Sequence, residues 1–487
     1  MIEGLKPYAE YKESGLPWLN TVPKHWDMAS NRALMRDQRQ VVGSRASDYT
    51  LLSLTLRGVI ARDMVNPKGK FPAQFNTYKV VKPDDFVFCL FDIDETPRGV
   101  GLSPLKGMIT GAYDVFSPTP RINPRFLYHY YLFVDEGKLM KPLYTGLRKT
   151  IQRGVFASLK APLPPPDEQA AIVRFLDHAN RKIDGFIRAK RKLIGLLNEQ
   201  KQAIIHRAVT GKDEVRMVKD ENGNSSFILQ PSTLAKKPSG IPWLGDIPKH
   251  WEVLPLGRVL VERKENNDPI KTKNILSLSL HDGVVPYAEK TRPGGNKAKD
   301  DLTAYKLAYP GDIVVNSMNV VVGSVGLSRY FGAVSPVYYM LRPRQSTDTV
   351  EYFDSIFHDV AFQRSLFGLG NGIMVIQSKS SGKLNTIRMR IPMGKLNRVE
   401  IPYPPPSEQL AIVAGIGTEI APVITAIART EREIALMQEY RTRLTADLVT
   451  GKLDVREAAA KLPDLPNETV DTPEEELEEN EPEEVDA

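Results

Sequence analysis

Three stretches gather side chains that can bind a polyanion and read its bases. They are Tyr144-Thr-Gly-Leu-Arg148-Lys149-Thr-Ile-Gln152-Arg153, Lys290-Thr-Arg292-Pro-Gly-Gly-Asn-Lys297-Ala-Lys299 and Gln377-Ser-Lys379-Ser-Ser-Gly-Lys383. Guanidinium and ammonium groups neutralise phosphates, while Arg, Lys, Asn, Gln, Ser and Thr can match the hydrogen-bonding edges of bases. Arg57, Lys68, Lys70 and Arg98 sit in other turn-like stretches, and Asn316 and Asn319 follow an apolar strand. The two carboxamides fit an adenine edge, or equally tie their own turn together. Any one of these residues reads equally well as a solvated surface charge. Gathered in glycine-containing loops, they read as DNA contacts: Arg57, Lys68, Lys70, Arg98, Arg148, Lys149, Gln152 and Arg153, then Lys290, Arg292, Lys297, Lys299, Asn316, Asn319, Lys379 and Lys383.

Catalytic chemistry is not signalled. Adenine methylation calls for Asn/Asp-Pro-Pro-Tyr/Phe, whereas the proline runs here are Leu163-Pro-Pro-Pro166 and Tyr403-Pro-Pro-Pro406, with no amide or carboxylate before them. No Gly-x-x-x-x-Gly-Lys-Ser/Thr phosphate loop is present. Thr210-Gly211-Lys212 and Thr450-Gly451-Lys452 resemble half of one, but they follow a helix instead of opening one. The seven histidines lack metal-ligand spacing, and His25 and His250, each beside a tryptophan, are expected to help pack their motif. Cys89, the single cysteine, reads as a buried strand residue and excludes a disulfide framework. No catalytic residue and no metal ligand is assigned.

The charge balance favours a polyanionic partner. From Pro463 to Ala487 there are twelve Asp and Glu and no Lys or Arg, so the preceding residues carry +6 − (−12) = +18. Proline and acid without large apolar groups predicts a disordered tail. No apolar run is expected to reach the length that spans a bilayer, and the N-terminus lacks a signal-peptide pattern, so a cytoplasmic protein with no membrane partner is expected.

The elements that must position these loops are written twice. Ser14-Gly-Leu-Pro-Trp18-Leu … Val22-Pro-Lys-His25-Trp26 returns 225 residues later as Ser239-Gly-Ile-Pro-Trp243-Leu … Ile247-Pro-Lys-His250-Trp251, and these motifs hold all four tryptophans. Leu163-Pro-Pro-Pro … Glu168-Gln169-x-Ala-Ile-Val173 returns 240 residues later as Tyr403-Pro-Pro-Pro … Glu408-Gln409-x-Ala-Ile-Val413, as does Thr-Gly-Lys. A period this long means two whole half-proteins rather than a solenoid. Between the motifs lie related middles. Lys82-Pro-Asp-Asp85-Phe-Val-Phe88 aligns with Tyr309-Pro-Gly-Asp312-Ile-Val-Val315 as a turn entering a buried strand, and Val100-Gly-Leu-Ser103 aligns with Val325-Gly-Leu-Ser328. The second middle is 15 residues longer, with most of the excess expected after Arg342. Trp18, Trp26, Trp243 and Trp251 could stack on bases, but their identity in both copies assigns them to the scaffold.

After each proline run, apolar residues recur at alternating steps of three and four. The first series is Leu176, Ile183, Ile187, Ile194, Leu197 and Ile204; the second is Ile416, Val423, Ile427, Ile434, Met437 and Leu444. This is the seam of a coiled coil, broken in the first copy by Asn180 and Lys190. Asp167 and Ser407 are expected N-caps, Gly211 and Gly451 expected stops, and Pro422 should kink or break the second helix. Each helix of about 40 residues would run roughly 60 Å.

With these motifs in order and twice over, residues 8–460 resemble the DNA specificity subunit of type I restriction-modification systems. The fold so implied is mixed α+β (α/β): two related globular target recognition domains joined by two long helices in an antiparallel coiled coil, a pseudo-twofold internal repeat. The expected segments are a first motif (1–29), recognition domain 1 (30–162), spacer helix 1 (163–212), a linker (213–238), recognition domain 2 (239–402, with its motif at 239–251), spacer helix 2 (403–452) and an acidic tail (453–487). The resemblance implies that each domain reads one half of a split target on double-stranded DNA. It implies that the seam residues pair and that the helical region docks two methyltransferase subunits, through which restriction-translocase subunits join. S-adenosylmethionine, ATP and Mg would belong to those partners and not to this chain. A coiled-coil adaptor that organises partners without reading sequence is the alternative; two different middles on one frame argue against it.

Overall fold

The structure is a computed structural model of the chain. It describes residues 5–62, 75–92, 96–146, 148–219, 225–279, 283–290, 301–370, 376–377, 384–385 and 390–463. The chain forms two compact units that cut across the linear segments. Within the described residues, the first takes 5–190 with 432–463 and the second takes 191–431.

Each unit is built on a four-stranded antiparallel sheet. In the first the order is Met35–Gln38, Asp114–Pro118, Phe86–Phe88, Val100–Leu102; in the second it is Leu260–Arg263, Tyr338–Pro343, Ile313–Asn316, Val325–Leu327. Val87 faces Val115 in one register, and Val314 faces Met340 in the other. The aligned turns enter these strands as the sequence predicts. Asp85 accepts the Lys82 N–H at 2.8 Å and Asp312 accepts that of Tyr309 at 2.9 Å. The strands that follow are apolar on both faces because both are covered. On one face a hairpin crosses the sheet, Leu52–Thr55 with Gly58–Ala61 in the first unit and Leu276–Ser279 with Gly283–Pro286 in the second. A Cβ on Gly101 would lie 2.6 Å from Leu54 and 2.7 Å from Val59, so only glycine admits the crossing there.

Helices cover the other face. Pro124–Glu136 starts with proline in its first turn, and the Asn123 side chain accepts the N–H groups of Arg125 and Phe126. Its apolar stripe of Phe126, Leu127, Tyr130, Tyr131 and Val134 is buried with Phe88, Phe116 and Phe156. The second unit uses two shorter helices, Val350–Phe357 and Val360–Ser365.

The two long helices, Pro166–Val209 and Pro406–Val449, have 44 residues each. Asp167 and Ser407 are not the N-caps. Each helix begins one residue earlier, and the carbonyls of Pro165 and Pro405 accept the Glu and Gln N–H groups at 2.9–3.0 Å. Proline suits that first position because it has no N–H to leave unpaired, and Asp167 then sits in the first turn, where a negative charge is favoured. The expected stops hold. Gly211 and Gly451 have φ of +66° and +74°. Lys212 and Lys452 donate back to Arg207 and Asp447 while the glycines donate to Ala208 and Leu448, the doubly bonded left-handed cap. Pro422 does not break its helix, which runs uninterrupted through it. The burial of Ile416, Ile420 and Val423 around that turn offsets the missing bond. The expectation about apolar length also needs correcting, since Pro406–Val449 contains an 18-residue stretch apolar enough to cross a membrane. The apolarity has a use at hand, because Ile412, Ile416, Ile420 and Val423 fill the core of the second unit.

Within the first unit the two helices run antiparallel. Lys190 pairs with Glu433 at 2.7 Å, Asp184 pairs with Arg441, and Leu176 and Leu444 share one core. In the second unit Ile204, Ile205, Ala208 and Val209 share a core with Ile412, Ile416 and Ile420. All twelve seam residues are buried or half-buried. The polar Lys190 is accommodated by Glu433 and by the Phe186 ring, 5.3 Å away. Where a linker is expected, Asp213–Lys219 and Ser225–Pro231 form an antiparallel hairpin whose Val215 and Leu229 rest on Gly415 of the second long helix.

Candidate nucleic-acid interface

The repeated motifs form the frame from which the loops project. Trp26 and Trp251 are wholly buried, and each packs against a Thr-Gly-Lys of the other half: Gly451 lies on Pro23 and Trp26, Gly211 on Pro248 and Trp251. The repeated Glu-Gln pair completes the frame. His25 bonds Glu168 and His250 bonds Glu408, each at 2.8 Å. Gln169 accepts the Asn123 N–H at 2.6 Å and donates to Pro164 at 2.8 Å; Gln409 accepts the Thr349 N–H at 3.0 Å and donates to Pro404 at 3.1 Å. In this way the glutamines tie the domain helices to the proline turns. Trp18 donates to the Tyr130 hydroxyl, and Trp243 packs edge-on against Phe362. The tryptophans therefore serve packing, as their repetition suggests.

Matching backbone bonds hold the loops that leave the central strands of the two sheets. Ile151 donates to Leu90 at 2.8 Å, and Ile391, 240 residues later, donates to Ser317 at 2.9 Å. In the first unit this bond pins the turn of residues 145–150 against the loop that leaves the strand Phe86–Phe88, and in the second it ties Ile391 to the loop that leaves Ile313–Asn316. In the first unit the loop is a tight turn closed by Thr145 and Thr150, with Gly146 and Lys149 at positive φ. The Asp92 N–H donates to the Arg148 carbonyl at 3.0 Å, while the Arg148 guanidinium lies 3.5 Å from the Asp92 carboxylate and over the Phe91 ring. Arg148 remains 77% exposed. Gln152 precedes the helix Arg153–Ser158, and Arg153 and Lys79 both bond Asp114, so Arg153 is anchored.

Arg57 is exposed at the turn of the crossing hairpin, and Arg98 donates to the Leu56 carbonyl of the same turn. With its side chain 17% exposed and Glu136 at 3.8 Å, Arg98 holds that turn to its loop. In the second unit, Asn316 uses its carboxamide oxygen on the Met318 N–H at 3.0 Å, which is the turn-forming role. Asn319 begins the tight turn Val320–Val322, closed by Gly323 at φ +83°. Lys290 follows the turn Tyr287–Glu289. Lys68, Lys70, Arg292, Lys297, Lys299, Lys379 and Lys383 lie outside the described residues.

The sequence reading missed two contributors. Asp92, at φ +46°, organises the Arg148 turn, and nothing in its local sequence marks it. A groove in the first unit is lined by Arg57, Ser103, Arg125, Tyr128 and His129 among others. The three and four residues separating Arg125 from Tyr128 and His129 place them on one helix face, a signal the sequence did carry. Burial, and secondarily Arg125, pushes the His129 imidazole down to about 4, so it is neutral at pH 7. Cys89 is buried as expected, and burial pushes its thiol up.

The chain was compared with known proteins. It is 20% identical over 363 residues to the type I restriction enzyme EcoDI specificity subunit of Escherichia coli, an alignment covering 73% of this chain and 77% of that protein. A chain solved in work on complex assembly and conformational transition of the type I R-M system superposes over 89% of this chain and 99% of its own, with a TM-score of 0.56 and 16% identity. That likeness establishes a shared fold. The HsdS subunit from Thermoanaerobacter tengcongensis aligns over 89% of this chain and 98% of its own at 18% identity, but its TM-score of 0.40 carries no weight. No protein-family model matches the chain.

Proposed function

We infer that this chain does what its family does: it is a specificity subunit of the type I restriction-modification kind, a DNA-binding protein that tells partner enzymes where to act. The observation that carries this reading is the pair of loops that leave the central strands, held by the N–H groups of Ile151 and Ile391. The loop that leaves the central strand carries Asp92, bonded to Arg148 of the neighbouring turn, in the first unit and Asn316 and Asn319 in the second. A duplicated frame holding unlike loops suits a reader of two unlike half-sites, whereas a plain adaptor gains nothing from the difference. Specific reading needs phosphate contacts to set register and base-edge contacts to discriminate, and the first unit offers the cations Arg148 and Lys149 while the second offers the carboxamides Asn316 and Asn319.

On this reading each unit engages one half of a split target on double-stranded DNA. Arg148 and Lys149 act chiefly on phosphates. Asn316 has one carboxamide group tied to its turn, so its amino group is the end left to offer a base. Methyl transfer to adenine and cleavage belong to two methyltransferase subunits and to restriction-translocase subunits, which supply S-adenosylmethionine, ATP and Mg. The chain itself neither methylates nor cuts, and it works in the cytoplasm.

Exchange of residues 30–155 for the first middle of another specificity subunit tests this. The expected result, in cells carrying the partner subunits, is a methylated site changed in one half only. Changes in both halves, or in neither, would overturn the assignment. Methyl transfer by the purified chain alone would refute its non-catalytic role.

A further inference from the structure

The loops that leave the two central strands match one another bond by bond. The Cys89 N–H donates to the Gly99 carbonyl at 2.9 Å, and the Asn316 N–H donates to that of Ser324 at 3.0 Å. Leu90 and Ser317, the next residues, receive the N–H groups of Ile151 and Ile391. Two residues further on stand Asp92 and Asn319, and each closes its turn with its carbonyl. Asp92 accepts the Thr96 N–H at 2.9 Å, and Asn319 accepts those of Val322 and Ser324 at 3.1 Å. At one place in the duplicated frame, the two copies thus carry side chains of nearly the same shape, a carboxylate and a carboxamide.

Neither side chain is needed to hold its turn. That of Asn319 caps nothing, unlike that of Asn316, which accepts the Met318 N–H. The Asp92 carboxylate is 33% exposed, and its distance of 3.5 Å from the Arg148 guanidinium is long for a hydrogen bond. An ion pair this open is worth little and is readily exchanged for another. Arg148 is therefore free to pass to a phosphate while Asp92 stays in place.

The two groups suit different bases. A carboxylate only accepts hydrogen bonds, and phosphates repel it, so beside DNA it is favoured only where a base presents an amino group. In the major groove cytosine presents its amino group alone, whereas guanine and thymine present acceptors that a carboxylate repels. Adenine sets the N7 acceptor beside its amino group, which a carboxamide matches with both ends and a carboxylate does not.

We propose that positions 92 and 319 are the paired base readers of the two units. Given the DNA-reading role proposed above, the Asp92 carboxylate accepts from the amino group of a cytosine once Arg148 has moved to a phosphate. The Asn319 carboxamide brackets the amino group and N7 of an adenine. Asp92 is then a specificity-determining residue, and Arg148 answers its charge only until DNA arrives.

Exchange of the two groups tests the pairing. Asp92→Asn and Asn319→Asp barely alter shape, and the left-handed φ of +46° at residue 92 suits Asn as well as Asp. Methylated adenines are mapped in cells that carry the partner subunits. Asp92→Asn should lower the preference for cytosine over adenine at one position of one half-site by at least about fivefold. Asn319→Asp should lower the preference for adenine over cytosine by a similar factor at one position of the other half. Both purified variants should melt with the unaltered chain. Uniform weakening by Asp92→Asn with the base preference intact would make Asp92 only a support for Arg148 and overturn the proposal. So would changes confined to the same half-site. A split site indifferent to both substitutions removes the pairing alone, whereas an unaltered chain that directs methylation to no split site overturns the DNA-reading role and the pairing with it.

Discussion

Trp26 and Trp251 occupy the same surroundings in the two halves: a proline before them, a left-handed glycine from the other copy above them, and a histidine–glutamate pair beside them. Cys89 and Asn316 also occupy equivalent places, Cys89 just after its buried central strand and Asn316 at the last position of its own. They share only backbone. Cys89 turns its thiol to the Phe91 carbonyl, whereas Asn316 turns its carboxamide to Met318 N–H. The duplication has kept the packing of the tryptophan frame and varied the residues where the chain leaves the central strands. A close-packed interior penalises any change of volume, while an exposed loop pinned by one backbone bond tolerates many sequences.

The largest effects should come from the frame and be equal in its two copies. Trp26→Ala and Trp251→Ala should each cost about 3–5 kcal/mol, read as loss of stability in urea unfolding of the unit concerned. A large cost in one copy and a negligible one in the other would break the equivalence. A smaller effect should separate the copies. Glu168 is 1% exposed and also receives the Tyr8 hydroxyl, while Glu408 is 25% exposed. Glu168→Gln should therefore cost about 2 kcal/mol, and Glu408→Gln less than about 1 kcal/mol. Gly211→Ala and Gly451→Ala should each cost about 1–2 kcal/mol from the left-handed backbone alone, with more from a Cβ 2.3 Å from Pro248 or Pro23. Arg148→Ala should shift stability by no more than about 0.5 kcal/mol. It should reduce the dependence of DNA affinity on salt by about one phosphate contact, measured by titration across ionic strengths.

Much of the frame was legible because packing rules are local and were stated twice. The tryptophan motifs, the glycine stops and the seam from Leu176 to Ile204 all follow from residue type and spacing. The N-caps were misplaced by two residues, since an acidic or hydroxyl side chain after proline imitates a cap. Pro422 was misread because the helical rule ignores the core that holds the helix on both sides of it. The proposed reading surface was legible only as composition. Which arginine is anchored, as Arg153 is by Asp114, and which stays exposed, as Arg148 does, depends on carboxylates brought in from distant strands and loops.

The central claim is that each unit's pinned loops read their own half of a split target. Mapping methylated adenines in cells that carry the partner subunits tests it most directly. Arg148→Ala with Lys149→Ala is one variant, and Asn316→Ala with Asn319→Ala is the other. Each pair should weaken or relax methylation according to sequence in a single half-site, and the two pairs should affect opposite halves. Relaxation of both halves by either pair, or of the same half by both, would contradict the account.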